Sequence, residues 1–307
     1  MPDPVELVEA IGKAGGKYPG HRAAHAKGVV LAGTFTPSDQ APRLTRAAHF
    51  AEPTRVTVRL SNGGANPDSK DNEFGDGRGM ATKFYLPDGT TTDIVALSLP
   101  VFFVRTPEEF LEFTLARAES FDKVGEFIGS HPATAQAVQQ IAPTLIPPRS
   151  YATVVYNSIH AFRLVNADGD GRWVRWRWLP EAGAEWLPEE EREGKDPDFL
   201  QTEIFERLPV RYTLVARIAT RDLPTDDPTA AWPEDLETVE MGTLELTGPE
   251  TERETGDDVM VMDPTRVTDG IETSDDPILH VRSHAYSVSV ERRSGVPRPA
   301  YSSGLMG

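Results

Sequence analysis

The chain has 307 residues, 38% of them hydrophobic, with 31 basic and 48 acidic side chains and a net charge of −17. A surface of that sign repels phosphate backbones and anionic lipids, which argues against nucleic acid and membrane surfaces as partners. Cysteine is absent, so disulfides, thiolate catalysis, iron–sulfur clusters and Cys-ligated zinc are excluded together.

The opening MPDPVELVEAIGKAGG lacks a basic start followed by an apolar run, and no stretch approaches the roughly 18 apolar residues of a membrane span; a cytoplasmic location is the expectation. Residues 4–13 space Val5, Leu7, Val8 and Ile11 as a helix does. Residues 28–35, 54–60, 79–86 and 93–104 read as strands separated by polar or glycine-rich turns, which predicts a meander. Residues 107–119 predict a helix with proline in the first turn, acidic residues next, and Phe110, Phe113 and Leu115 inward. A second helix is expected over 131–142, ended by Pro143.

Strands resume at 151–165, and an Asp/Gly turn at 168–171 leads into RWVRWRWL at 172–179, whose aromatics and arginines alternate with period two. Residues 209–220 and 237–247 are two more candidates. Eight strands in two groups of four, split by helices, suit a closed antiparallel barrel in an α+β chain. Residues 222–236 and 249–276, rich in proline and aspartate, predict extended wrapping; residues 277–293 predict a helix opened by Asp275, Asp276 and Pro277. The expectation is one domain over 1–307: a barrel at about 20–250, a wrapping segment with the last helix at about 251–293, and a loose tail at 294–307.

On that last helix Arg282, Tyr286 and Arg293 are spaced by four and seven, which places them on one face. As a bare pattern this is an ordinary cation–aromatic contact. It also suits a phenolate ligand for ferric iron, with the guanidinium favouring the charged form. Near the start, HRAAHAKG puts Arg22 three residues before His25. A His between alanines is commonly a satisfied structural residue; a dry, neutral one can take a proton from a peroxide and return it to the leaving oxygen.

Five stretches together carry a family resemblance. AHAKG at 24–28 is similar to the distal-histidine segment of haem catalases. VRLSNGG at 58–64, followed by DGRGMATKFYLPDG at 76–89, resembles the next stretch of that family, and DIVALSLPVFFVR at 93–105 the strand after it. NSIHAFRLVNADGDG at 157–171 and MDPTRVTDGIETSDDPILHVRSHAY at 262–286 complete the series in the right order. Among catalases the chain most resembles the small catalase-related peroxidases. The resemblance implies a catalase-like eight-stranded antiparallel barrel with inserted and flanking helices, holding haem b. It implies Tyr286 as the iron's axial ligand, Arg282 as its charge partner, His25 as distal acid/base, and Ser61 as the group fixing the His25 tautomer. Arg22, Arg59 and Arg293 would clamp the propionates, and Phe102, Phe103, Phe110 and Phe113 would line the distal pocket. Core packing explains the phenylalanines equally well.

One position departs from the family pattern. The usual distal asparagine falls on Leu97, which cannot hydrogen-bond peroxide. Disproportionation needs a second peroxide oriented as reductant, and an amide helps hold it. The resemblance therefore implies a peroxidase that reduces hydrogen peroxide or organic hydroperoxides at the expense of small organic reductants, with weak or no catalase activity, as a monomer or small homo-oligomer. Four alternatives stand beside it: a true catalase in which Ser98 or Asn62 does the asparagine's work; a haem-binding protein without turnover; a non-haem metal site built on His21 with His25 or His280 with His284; and an enzyme rearranging fatty hydroperoxides.

Overall fold

The computed structural model describes residues 1–253 and 259–295. Helix α1 (Pro4–Gly15) is capped by Asp3, whose carboxylate accepts from Val5 N. Four strands follow as a meander: β1 (Gly28–Pro37), β2 (Thr54–Asn62), β3 (Arg78–Tyr85) and β4 (Thr91–Leu97). Three helices separate them from the second group: α2 (Pro107–Glu119), α3 (Phe121–Ser130) and α4 (Pro132–Ile141). Then come β5 (Tyr156–Asn157), β6 (Phe162–Val165), β7 (Gly171–Pro180), helices α5 (Glu189–Arg192) and α6 (Phe199–Arg207), β8 (Val210–Ile218) and β9 (Thr238–Pro249). A short β10 (Ile271–Thr273) precedes α7 (Pro277–Ser294).

The ladders run β1–β2–β3–β4–β5–β7–β8–β9 and return to β1, all antiparallel, so the sheet closes into the expected eight-stranded barrel. Strand β6 continues β5 along the same edge of β7, and β10 is added outside β6. Alternation decides the two faces. Val56, Val58 and Leu60 of β2 are fully buried inside, among Phe35, Phe84, Trp176 and Trp178. Thr57, Arg59 and Ser61 take the outer face. One cross-strand row there reads Gly28, Ser61, Gly79, Leu97, Asn157, Arg177; the next reads Val30, Arg59, Ala81, Val95.

Three expectations need correction. The strand over 151–165 is interrupted: a 3₁₀ turn at Tyr151–Thr153 precedes β5, and residues 158–161 leave the ladder before β6. Asn157 pairs with Arg177 and Phe162 with Val174, so four residues face two, a bulge stitched by Ser158 N to Trp176 O and Trp176 N to Ser158 Oγ, both 2.8 Å. The strand over 93–104 stops at Leu97, because Pro100 has no N–H to continue a ladder. Leu115 does not face inward; it is two residues from Phe113, and side chains at that spacing cannot share a helix face. Helices α3, α5 and α6 lie in segments where no element was expected. The expected tail lies outside the described residues from 296 onward.

Candidate active site

Helix α7 begins at Asp276, whose Oδ1 accepts from Ile278 N (2.8 Å) and Leu279 N (3.3 Å). Pro277 takes the first-turn position, where a missing N–H is harmless, and Gly295 ends the helix in the left-handed region (φ 70°). One and a half turns in, Arg282 reaches forward to Tyr286. Its Nε and Nη2 both donate to the phenol oxygen, at 3.0 and 2.7 Å. Two guanidinium N–H groups on one oxygen stabilise negative charge there.

The other side of that guanidinium holds His160, thrown outward by the 158–161 bulge. Arg282 Nη1 lies 2.9 Å from His160 Nε2, and His160 Nδ1 lies 2.6 Å from Asp276 Oδ2. Guanidinium has only hydrogens to give, so Nε2 accepts and Nδ1 carries the proton that goes to Asp276. Burial pulls His160 down to about 4, outweighing the pull of Asp276 in the other direction. The imidazole is therefore neutral, and one chain of hydrogen bonds runs Asp276–His160–Arg282–Tyr286. Sequence reading missed both His160 and Asp276: His160 lay inside the motif at 157–171, and Asp276 was read only as a helix opener.

His25 sits just before β1 with φ 56°, a left-handed conformation uncommon for a residue with a side chain. Backbone contacts hold it: His25 N and Ala26 N donate to Gly63 O and Gly64 O at 3.1 Å each, and Arg59 donates to the carbonyls of His25 (2.8 Å) and Ala26 (3.2 Å). His25 Nδ1 lies 3.0 Å from Ser61 Oγ. A Cβ on Gly79 would come within 2.8 Å of the His25 ring and 2.9 Å of Ser61 Oγ, so only glycine leaves room for that pair. Nε2 has no partner among the described residues. Enclosure by protein, followed by the charges of Arg59, Arg282 and Arg22, pulls His25 down to about 3.

The predicted arginines converge. Arg22 and Arg293 both donate to Met260 O, at 3.1 and 3.0 Å, while Arg59 also donates to Glu252 at 2.6 Å. Ala23 N donates to Ser289 Oγ, tying the His25 segment to α7 one turn past Tyr286. Phe102 and Phe110 are half-buried and stack at 6.1 Å, within a cluster that also holds Phe103, Phe113, Phe127 and Ile278. Leu97 lies beside Gly79 on the outer face.

Neither residue named as a substitute for the distal asparagine is open. Ser98 Oγ accepts from Arg78 N at 2.9 Å in the interior. Asn62 spends its amide on Asp71 Oδ1 and its oxygen on Tyr151 Oη. The histidine pair on α7 is also committed, His280 Nε2 to Ser274 O and His284 Nδ1 to His280 O. No group of three or more His, Asp or Glu side chains suited to a metal ion occurs among the described residues. An open groove of about 370 Å³ between α2 and α3, bordered by Glu112, Leu115, Glu119 and Lys123, involves none of the predicted site residues.

The family model described as Catalase matches residues 5–298. The chain belongs to the catalase family. Its relatives include a catalase-related peroxidase of Mycolicibacterium paratuberculosis, 42% identical over 97% of this chain and 96% of that one. Another is a catalase-related peroxidase of Synechococcus elongatus, 31% identical over 95% and 88%. Catalase A from Saccharomyces cerevisiae superposes with a TM-score of 0.79 at 25% identity, covering 89% of this chain and 61% of that one.

Catalase-family membership makes the chain an oxidoreductase acting on peroxide, and haem is the cofactor the family implies. The residues present suit it. Tyr286 offers an oxygen already carrying two cationic donors, Arg22, Arg59 and Arg293 supply cations of the kind that bind carboxylates, and His25 keeps one ring nitrogen open. No helix among the described residues is long and apolar enough to cross a membrane.

Proposed function

We propose that this catalase-family protein is a haem-dependent peroxidase reducing hydrogen peroxide, organic hydroperoxides, or both. Haem b would be held by Tyr286 on one side, with Arg22, Arg59 and Arg293 at its carboxylates and Phe102 and Phe110 beside it. Bound haem would supply the iron at which the peroxide O–O bond is cleaved. Small organic reductants complete the cycle, in a cytoplasmic monomer or small homo-oligomer.

The observation that carries this reading is the 3.0 Å contact of His25 Nδ1 with Ser61 Oγ, which leaves Nε2 without a partner among the described residues. With Nδ1–H given to Ser61 Oγ, the neutral ring would present the Nε2 lone pair. That nitrogen would take a proton from one peroxide oxygen and return it to the other, which would leave as water or alcohol. A pKa of about 3 keeps the ring unprotonated, and so available, across the neutral range. The Asp276–His160–Arg282 chain places two N–H donors on Tyr286 Oη, the oxygen that would bind the iron.

Weak or absent catalase activity is part of the proposal. Leu97 supplies no donor on the outer face, and Ser98 and Asn62 are occupied elsewhere. The test is turnover of hydrogen peroxide and of an alkyl hydroperoxide, each with and without an aromatic reductant. Reductant-dependent turnover that His25→Ala abolishes supports the reading. Turnover unchanged by that substitution sinks it, and rapid oxygen release without reductant supports the true catalase instead.

A further inference from the structure

The row Ser61, Gly79, Leu97, Asn157 leads away from His25 across the outer face of the barrel. Its members differ sharply in what they offer a ligand. Ser61 is committed to His25, Gly79 has no side chain, and Leu97 offers only hydrocarbon. Asn157 is different. It is 8% exposed, and its Oδ1 accepts from Arg177 Nε at 2.9 Å. Because Arg177 Nε can only donate, the amide has one orientation, with oxygen towards Arg177 and NH₂ away from it. Arg177 is itself held by Glu234 at 2.8 and 3.1 Å. The NH₂ group has no hydrogen-bond partner among the described residues. The side chain is held in this one orientation while its NH₂ remains reachable from solvent, so a ligand oxygen arriving along the outer face can take up the donor.

Neighbouring strands lie about 4.8 Å apart, so Asn157 is roughly 10 Å from Gly79 and the His25 ring above it. That is too far for one hydrogen peroxide molecule to touch both. It suits a longer molecule, at the ~3.3–3.6 Å that three bonds of an extended chain cover. We propose that Asn157 sets substrate choice: its NH₂ binds an oxygen acceptor on the tail of an organic hydroperoxide whose peroxide group lies at His25 and whose hydrocarbon crosses Leu97. The inference rests on the peroxidase reading and adds to it a substrate class, alkyl hydroperoxides carrying a carbonyl or hydroxyl oxygen about six to eight bonds from the peroxide.

The test compares heptyl hydroperoxide with its analogue bearing a ketone next to the far terminal carbon, on the haem-loaded protein. The wild type should favour the ketone in kcat/KM by about three- to tenfold, the worth of one neutral hydrogen bond. Asn157→Ala and Asn157→Asp should both bring the ratio to about one. The aspartate keeps an oxygen facing Arg177, so the fold is preserved while the donor is lost. Calorimetric binding of the corresponding unreactive alcohols should show the same preference and the same loss. Equal use of both hydroperoxides by the wild type, or a preference that survives both substitutions, overturns the assignment. If neither hydroperoxide is turned over, the organic-hydroperoxide part of the peroxidase reading falls while hydrogen peroxide turnover tests the rest, and the alcohols still decide: equal affinities overturn the role of Asn157, and a preference abolished by both substitutions upholds it as a ligand-binding donor.

Discussion

Asp276 Oδ2 and His160 Nδ1 lie 2.6 Å apart with both side chains 1% exposed, and the same carboxylate caps α7. The start of the helix and the orientation of Arg282 are therefore set by one group. Asp276→Asn tests this coupling. The amide oxygen can still cap the helix, but with that oxygen on Ile278 N its NH₂ faces Nδ1–H, donor against donor. We expect a stability loss of about 1–3 kcal/mol and a severalfold loss of haem affinity, read by urea unfolding and haem titration. Loss of stability with haem affinity intact would show that the cap matters and the chain to Tyr286 does not.

Removal of Arg282 strips both donors from Tyr286 Oη. Hydrogen bonds to a charged oxygen contribute about 1.5–3 kcal/mol, so Arg282→Leu should weaken haem binding by at least tenfold in a titration of the apoprotein. Unchanged affinity would show that the Arg282–Tyr286 contact does not help hold haem.

In the proposed mechanism Ser61 fixes which nitrogen of His25 bears the proton, across a 3.0 Å contact with Nδ1. Ser61→Ala should lower peroxide turnover by about tenfold, and Ser61→Thr, which restores a hydroxyl, should recover most of it. If alanine and threonine behave alike, the hydroxyl does not orient His25.

Gly79→Ala inserts a methyl group within 2.8 Å of the His25 ring and must displace it. A shift of about 1 Å at an acid/base group can cost about a hundredfold in rate. The expected signature is lost turnover with haem binding retained, because the clash is on the His25 side.

Burial pulls His49 to about 3, as it does His25 to about 3 and His160 to about 4. The unfolded chain therefore binds more protons than the folded one below about pH 6.5, and stability falls with pH until the folded values are reached. Each residue should cost roughly 1.3 kcal/mol on going from pH 7.5 to 5.5, measurable by urea unfolding at both values. His49 lies inside the barrel, against Phe50 and Phe84, with neither ring nitrogen bonded. His49→Leu should remove about a third of that acid sensitivity without loss of stability at pH 7.5. An unchanged pH dependence would show that His49 is protonated equally in both states.

The sequence by itself determined the barrel and the last helix, and it singled out the two residues that the proposed mechanism puts at its centre. Period-two alternation in 54–60 and 172–179 specifies which face of each strand is apolar, and the capping residues Asp276 and Pro277 specify where α7 begins. His25 and Tyr286 were legible because each lies in a local motif. Only the tertiary structure decided what surrounds them. The 158–161 bulge, which turns His160 towards Arg282 across a separation of 122 residues, is invisible to local periodicity. The same holds for the Ser61 contact with His25, the close approach of Gly79, and the single free donor of Asn157. Local patterns encode which face a side chain takes; strand register and the docking of α7 on the barrel decide which side chain it meets there.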